Sequence, residues 1–126
     1  MSPVVPRFEV DEHSADGAHV INVRGEIHVT TAPEFSQRLT SAIEAGRTAL
    51  VLDLSGVEFV DSTGLSVLLN ALRRVHQLHG AMALVCANPT VLRLFEITKL
   101  DSTFDIFGDR ASAVAHVSGA AGPGSC

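Results

Sequence analysis

Tryptophan and tyrosine are absent from this 126-residue sequence, and lysine occurs once, as Lys99. Without tryptophan or tyrosine, the chain offers few aromatic surfaces on which nucleobases could stack. Fourteen acidic residues against nine basic ones give a formal net charge of -5, and the basic residues cluster only at Arg73 and Arg74. Because nucleic-acid binding needs a basic face that releases counterions, we predict no nucleic-acid partner.

Long apolar runs and closely spaced cysteines are also missing. No stretch reaches the ~18 apolar residues of a membrane span, and the start, MSPVVPRFEV, has neither the basic region nor the apolar core of a signal peptide. Cys86 lies in the apolar run MALVCA and is predicted to be a small buried side chain, whereas Cys126 ends a segment without pattern. The sequence therefore predicts a cytoplasmic protein with no membrane partner, no metal and no cofactor.

Apolar residues follow two patterns that predict strands. HVINVRGEI at 19–27 alternates, as a half-buried strand does. TALVLDL at 48–54 and AMALVCA at 81–87 are nearly continuous, which is typical of parallel strands covered on both faces. Weaker patterns predict a first strand from Arg7 to Val10 and a last strand at 102–108.

Helices are predicted between the strands by their end signals. Thr31, with Glu34 three residues later, has the pattern of a capping box. Asn88 followed by Pro89 is typical of another helix start, because proline is tolerated at the first helical position. A last helix is predicted at 109–117.

The alternation of strands and helices sets the fold class. It predicts a single α/β domain over residues 1–117, with a mixed, mostly parallel sheet of four to five strands packed by about four helices. Residues 118–126, SGAAGPGSC, carry no apolar period and are predicted to be a disordered tail.

The segment FVDSTGLSVLL places three polar side chains, Asp61, Ser62 and Thr63, at the start of the longest predicted helix. One polar residue is enough to cap a helix, so the junction is either an ordinary cap or a site. A hydroxyl at a helix N-terminus lies among N–H groups that suit phosphate oxygens. Gly64 is predicted to let another surface approach the backbone closely.

The same helix has an apolar stripe and a polar one. The apolar stripe is predicted to be buried and consists of Leu65, Leu68, Leu69, Leu72 and Val75. On the opposite side, Ser66 and Asn70 extend the candidate contact face one and two turns along from the junction.

The segment VLDLSGVEFVDSTGLSVLL resembles the signature of STAS domains, in particular the bacterial anti-sigma factor antagonists. The likeness includes VRGEIHVTTAPEF and NPTVLRLFEITKL and spans roughly residues 19–108. In this family the motif Asp-Ser-Ser/Thr-Gly-Leu opens a helix, and its first hydroxyl residue is the phosphoacceptor. The motif matches residues 61–65, so the resemblance implies that Ser62 receives phosphate.

The resemblance implies a protein-binding switch without catalytic activity of its own. An anti-sigma factor with an ATP-binding fold would act as the serine kinase, and the unphosphorylated antagonist would bind it and release a sigma factor. Phosphorylation would end the interaction, and a separate phosphatase would reset it. The predicted partner-binding residues are Asp61, Ser62, Thr63, Gly64, Ser66, Asn70 and His28. The last of these is a departure, since the family often carries Asp there, after GEI.

Other functions stay open on the residues alone. The alternative is a constitutive STAS adaptor in a transport or signalling complex that is never phosphorylated. A stand-alone enzyme ranks third, because VDSTG lacks the first glycine of a nucleophile elbow and no glycine-rich loop ends in lysine. His76 and His79 have a spacing that suits two metal ligands, but no third ligand follows. Asp53, at the end of a predicted strand, would suit the acceptor of a receiver domain.

Overall fold

The computed structural model describes residues 8–121, and its strands lie side by side in the order in which they occur along the chain. The elements, in chain order, are β1 (Glu9–Ala15), β2 (Ala18–Ile27), α1 (Ala32–Glu44), β3 (Ala49–Val60), α2 (Ser62–Gln77), β4 (Ala81–Val85), α3 (Pro89–Ile97), a 3-10 turn (Leu100–Ser102), β5 (Asp105–Phe107) and α4 (Arg110–Ala121). β1 is antiparallel to β2, and all later neighbours are parallel. Five strands in a mixed, mostly parallel sheet with four helices confirm the predicted α/β fold class.

The sequential strand order places α1, α2 and α3 on one face of the sheet and α4 on the other. Crossovers between parallel strands share one hand, so helices that join successive neighbours return over the same face. Phe35, Leu68 and Phe95, one from each of these three helices, are fully buried in the larger core. The smaller core on the other face is built from Ala113, Val114 and Val117 of α4 against Ala18, Val20, Val51, Ala81, Ala83 and Val85 of the strands. Its residues on β2 and β3 come from the first half of each strand, so among residues 8–121 no helix covers the second half of that face.

β1 is longer than predicted. The predicted range, Arg7 to Val10, lies partly outside the described residues, and the strand continues to Ala15. A two-residue turn at Asp16 and Gly17, with φ of 48° and 87°, then joins it to β2. Positive φ at both central positions matches the twist of a hairpin. The Asp-Gly dipeptide is therefore the sequence signal of this hairpin.

The predicted ends of later strands also differ from the structure. β3 continues through SGVEFV to Val60 instead of ending at residue 54, because its later residues pair with the second half of β2, as Phe59 does with Glu26. β4 ends at Val85, and β5 is only three residues long. Before β5, residues 100–102 form a 3-10 turn where the last strand was predicted to start.

α4 continues to Ala121, four residues beyond the predicted end of the last helix at residue 117. Two contacts hold this last part of the helix. Val117 is buried against the sheet, and the Ser118 hydroxyl donates to the Asp16 carbonyl at 2.8 Å. The predicted tail therefore begins too early, and its remainder, residues 122–126 with Cys126, lies outside the described residues. No helix between residues 8 and 121 combines the length and apolarity needed to cross a membrane.

Of the two predicted helix starts, the cap of α3 is confirmed and the capping box of α1 is wrong. Asn88 caps α3, since its side-chain oxygen accepts from the Thr90 N–H at 2.9 Å. Thr31 precedes α1 as predicted, but within the described chain it forms no capping box. Its hydroxyl instead donates to the Glu26 carbonyl at 2.7 Å and accepts from the His28 N–H at 3.0 Å. The loop before α1 thus uses the hydroxyl that the capping box would have used.

Candidate functional site

The junction between β3 and α2 is organised by the Asp61 carboxylate. Asp61 has an extended backbone and caps α2, because its Oδ1 accepts from the Gly64 N–H at 2.9 Å. Its Oδ2 accepts from the Val29 N–H at 3.1 Å. One carboxylate therefore caps the helix and ties it to the loop between β2 and α1. Asp61 thus supplies the cap of α2, which accounts for one of the three polar side chains at this junction.

The loop between β2 and α1, residues 28–31, lies directly beside the start of α2. The Asp61 N–H donates to the Ile27 carbonyl at 3.1 Å. Within the loop, His28 Nδ1 accepts from the Thr30 N–H at 3.2 Å, and the Thr31 hydroxyl bonds the backbone on both sides, as described above. The loop backbone is therefore held in one conformation next to Ser62.

Ser62 is the first residue of α2, and its side chain is exposed. The first N–H groups of a helix have no acceptor within the helix, and they carry part of the positive end of its dipole. The Ser66 hydroxyl donates to the Ser62 carbonyl at 3.0 Å. Within residues 8–121, the side-chain hydrogen bonds of the junction are thus made by Asp61 and Ser66, and the cap does not use the Ser62 hydroxyl.

Gly64 lies against the end of β2 and does not face solvent. The residue is buried, and a Cβ placed there would lie 2.8 Å from Ile27 Cγ2, 2.8 Å from Val60 Cγ1 and 2.9 Å from the Ile27 carbonyl oxygen. The space that we predicted for another surface is therefore occupied by the protein itself. Glycine at this position permits close packing of α2 on the ends of β2 and β3.

Replacing Gly64 by alanine is expected to lower the free energy of unfolding. The added methyl group has no room, and overpacking of this kind costs about 1–3 kcal/mol even where alanine is the better helix former. Gly108→Ala is the matched control, because a Cβ at Gly108 would meet nothing within 4 Å. Urea unfolding followed by far-ultraviolet circular dichroism measures both variants. Equal stability of the two would contradict the close-packing explanation.

The other predicted contact residues lie on two neighbouring elements. Ser66 and Asn70 are exposed along α2, and Asn70 also lines a small cavity of about 40 Å³ between α1 and α2. Thr63 is half-buried. His28 is part of the fixed loop, with its Nε2 3.6 Å from Glu26 Oε1. The structure thus places His28 next to Val29, whose N–H is bound by Asp61. The partner-binding roles of these residues stay predictions.

Two exposed apolar side chains near the junction were missed in the sequence. Val29 is 68% exposed and Phe59 is 41% exposed. Val29 stands alone among polar residues, and Phe59 belongs to an apolar run that is typical of a buried strand. Hydropathy therefore gives no signal for either, because the exposure of Val29 depends on the path of the loop and that of Phe59 on how far α4 reaches across the sheet.

Asp53, the candidate receiver acceptor, lies inside β3 and not at its end. It is 5% exposed and accepts hydrogen bonds from Arg110 Nε at 2.9 Å and from the Ser55 N–H at 3.0 Å. Burial raises the pKa of Asp53, but the hydrogen bonds from Ser55 and the Arg110 guanidinium outweigh it and hold the pKa below its usual value. The residue is an ion-paired core group, so the receiver interpretation is wrong in its placement of this side chain.

The two histidines do not lie on one helix as predicted, because α2 ends at Gln77 and His79 follows it with a φ of 61°. His76 and His79 are both exposed. Across residues 8–121, no three histidine, cysteine or acidic side chains are grouped so that they could hold a metal ion. Cys86 is buried at the end of β4, as predicted.

Comparisons with known proteins agree with this geometry. The family model described as the STAS domain matches residues 9–113. The chain is 35% identical over 99 residues to the anti-sigma-B factor antagonist of Bacillus subtilis, which covers 79% of this chain and 90% of the relative. It is 31% identical over 104 residues to an anti-sigma-F factor antagonist of Mycobacterium tuberculosis, covering 82% and 84%. A crystal structure of an anti-sigma factor antagonist from Mycobacterium paratuberculosis has a TM-score of 0.81 and 32% identity, with 88% and 94% coverage.

Proposed function

We propose that phosphorylation of Ser62 controls the binding of this chain to an anti-sigma factor. The chain belongs to the anti-sigma factor antagonists of the STAS domain family. This family consists of non-enzymatic regulators, and membership implies an anti-sigma factor as partner. The unphosphorylated form binds an ATP-binding anti-sigma factor and so releases a sigma factor. The anti-sigma factor phosphorylates Ser62, which ends the complex, and a phosphatase resets the switch. The protein acts in the cytoplasm and has no catalytic activity of its own.

The observation that carries this proposal is that Asp61 and Ser62 have different roles at the start of α2. Asp61 supplies the helix cap with one oxygen and holds the neighbouring loop with the other. The exposed Ser62 hydroxyl is therefore not needed for the fold, so it is available to a kinase. An ordinary cap would need only one of the two residues.

The position of Ser62 also suits the phosphorylated state. A phosphate there adds about −1.5 to −2 charges at neutral pH. At a helix N-terminus negative charge is typically favourable by about 0.3–1 kcal/mol, and this offsets part of the repulsion from the Asp61 carboxylate, which caps the same helix. The fold can therefore carry the modification, and its effect falls on the partner.

We expect Ser62 to be the sole residue that the cognate kinase phosphorylates. The chain is incubated with ATP and each purified ATP-binding anti-sigma factor of its own organism, and the phosphate is mapped by mass spectrometry. Ser62→Ala should abolish incorporation. Ser41→Ala, at another exposed serine, on α1, is the matched control and should retain it. Phosphate on Thr63 alone, or outside the junction, would refute the assignment, and a chain that binds but is never modified would favour the constitutive adaptor.

A further inference from the structure

Within residues 8–121, two large apolar side chains that are exposed, Val29 and Phe59, lie near the Ser62 site. Val29 is bound to Asp61 through its N–H, and Phe59 precedes Asp61 by two residues on β3. Two others, Leu78 at 51% exposure and Ile97 at 66%, lie at the far ends of α2 and α3. Single exposed apolar residues are ordinary, but a pair beside the candidate acceptor forms a local surface.

The loop that carries Val29 is fixed by hydrogen bonds. Its N–H is held by Asp61, the next N–H along is held by His28 Nδ1, and the Thr31 hydroxyl closes the loop on Glu26. The Val29 side chain thus points outward from a backbone that is already ordered. Binding through such a side chain costs little additional entropy, because the loop does not have to be ordered on contact.

The same surface carries mostly negative charge. The segments 26–34 and 58–66 contain Glu26, Glu34, Glu58 and Asp61 but neither lysine nor arginine, and the nearest base along β2, Arg24, is paired with Asp11 at 3.5 Å. Since α4 covers only the first halves of β2 and β3, Glu26 and Phe59, which pair in register, remain at the uncovered end of the sheet. A partner that matches this surface has an apolar pocket surrounded by basic side chains.

We propose that Val29 and Phe59 are the apolar anchors by which this chain binds its partner, and that the partner surface is an apolar pocket of the anti-sigma factor with a rim of arginine or lysine. This inference rests on the proposed function, because it names the same partner. Anchors close to Asp61, the residue before the acceptor, bring Ser62 to the bound nucleotide of the kinase. Apolar anchors that become fully desolvated at the centre of an interface carry a large share of the binding energy.

The test compares serine substitutions at the two anchors with serine substitutions at the two remote residues. Affinities of wild type, Val29→Ser, Phe59→Ser, Leu78→Ser and Ile97→Ser are measured by calorimetry against the purified anti-sigma factor that binds the wild type most tightly. We expect Val29→Ser and Phe59→Ser each to raise Kd about 10-fold or more, as buried anchors do, and to slow phosphorylation of Ser62. Leu78→Ser and Ile97→Ser should leave Kd within about 2-fold, which is typical of residues outside an interface.

Two further measurements complete the design. Glu58→Lys should weaken binding at low salt and lose most of that effect at high salt, because the acidic rim acts through screened charges. Melting curves identify any variant that does not fold, and Val29→Ser, whose side chain is mostly in solvent, decides the question if Phe59→Ser fails to fold. Anchor variants that bind as well as the two remote controls would overturn this proposal and leave the proposed function standing. A wild-type chain that binds no ATP-binding anti-sigma factor would overturn both.

Discussion

Phosphorylation of Ser62 is expected to weaken binding of the anti-sigma factor by roughly 30- to 1000-fold, which corresponds to a loss of about 2–4 kcal/mol. The charged group must lose its water inside the interface, and it lies beside the Asp61 carboxylate. Two unit charges about 4 Å apart repel by ~1 kcal/mol in water and ~4 kcal/mol at an effective dielectric of 20. Asp61 cannot move away easily, because both of its oxygens hold backbone N–H groups. Part of this repulsion is also present in the free protein, so only the remainder weakens the complex. The expected loss of binding free energy is therefore about 2–4 kcal/mol.

Three variants separate the effect of negative charge at residue 62 from the effects of side-chain shape and of net charge. Ser62→Asp carries one charge and should show a weaker form of the same effect. Ser62→Ala loses only a hydroxyl that the cap does not use and should bind nearly as well as wild type. Ser41→Asp, on the exposed side of α1, controls for a general effect of added negative charge. Each form is titrated against the anti-sigma factor, and a melting curve is recorded for each.

Two outcomes would contradict the charge switch. If Ser62→Ala lost binding as severely as Ser62→Asp, the hydroxyl itself would be the contact. If Ser41→Asp weakened binding equally, net charge and not position would be responsible. The melting curves should stay close to that of wild type in every case, since the N-terminus of α2 tolerates a negative group.

The second large effect is expected in folding stability, when Arg110 is replaced by methionine. Arg110 at the start of α4 pairs with Asp53 in the centre of the sheet, and its guanidinium contacts the carboxylate through both Nε and Nη2. Its removal leaves a buried carboxylate whose remaining donors among residues 8–121 come from Ser55. Breaking a buried pair costs about 3–5 kcal/mol, and because the Arg110 side chain is 41% exposed and water can enter, we expect about 2–3 kcal/mol.

Urea unfolding followed by far-ultraviolet circular dichroism measures this loss, since the chain has no tryptophan or tyrosine for fluorescence. Asp53→Leu combined with Arg110→Met should recover most of the stability, because it leaves no unpaired charge in the core. A double variant as unstable as Arg110→Met alone would show that Arg110 acts through packing and not through its charge.

The pH dependence gives an independent check with a defined sign. The pKa of Asp53 is lowered in the folded state from its ordinary value of 3.8. The ion pair therefore stabilises the fold at pH values above the pKa of Asp53 in the unfolded chain. This contribution is lost as the pH falls through the pKa of Asp53 in the folded state. The difference between wild type and Arg110→Met should therefore be largest near neutral pH and smaller in acid. A difference that does not change with pH would contradict the ion-pair explanation.

The sequence alone predicts the parts of this protein that depend on local pattern. The alternating run at 19–27 and the continuous run at 81–87 encode how many faces of a strand are buried, because side chains alternate along a strand. Asn88 with Pro89 encodes a helix start through hydrogen bonds only a few residues long. The Asp61–Gly64 motif is likewise local, so its position at a helix start could be predicted without knowledge of the strand order.

Only the tertiary structure decides which distant groups meet. Asp61 holds the Val29 N–H 32 positions away, and Asp53 pairs with Arg110 57 positions away. Gly64 is required by the side chains of Ile27 and Val60, although its sequence neighbours favour a binding role. These contacts depend on which strands lie side by side and on how far α4 reaches across the sheet. Neither is specified by local periodicity, because the entropic cost of loop closure grows only slowly with loop length and so discriminates poorly between alternative pairings.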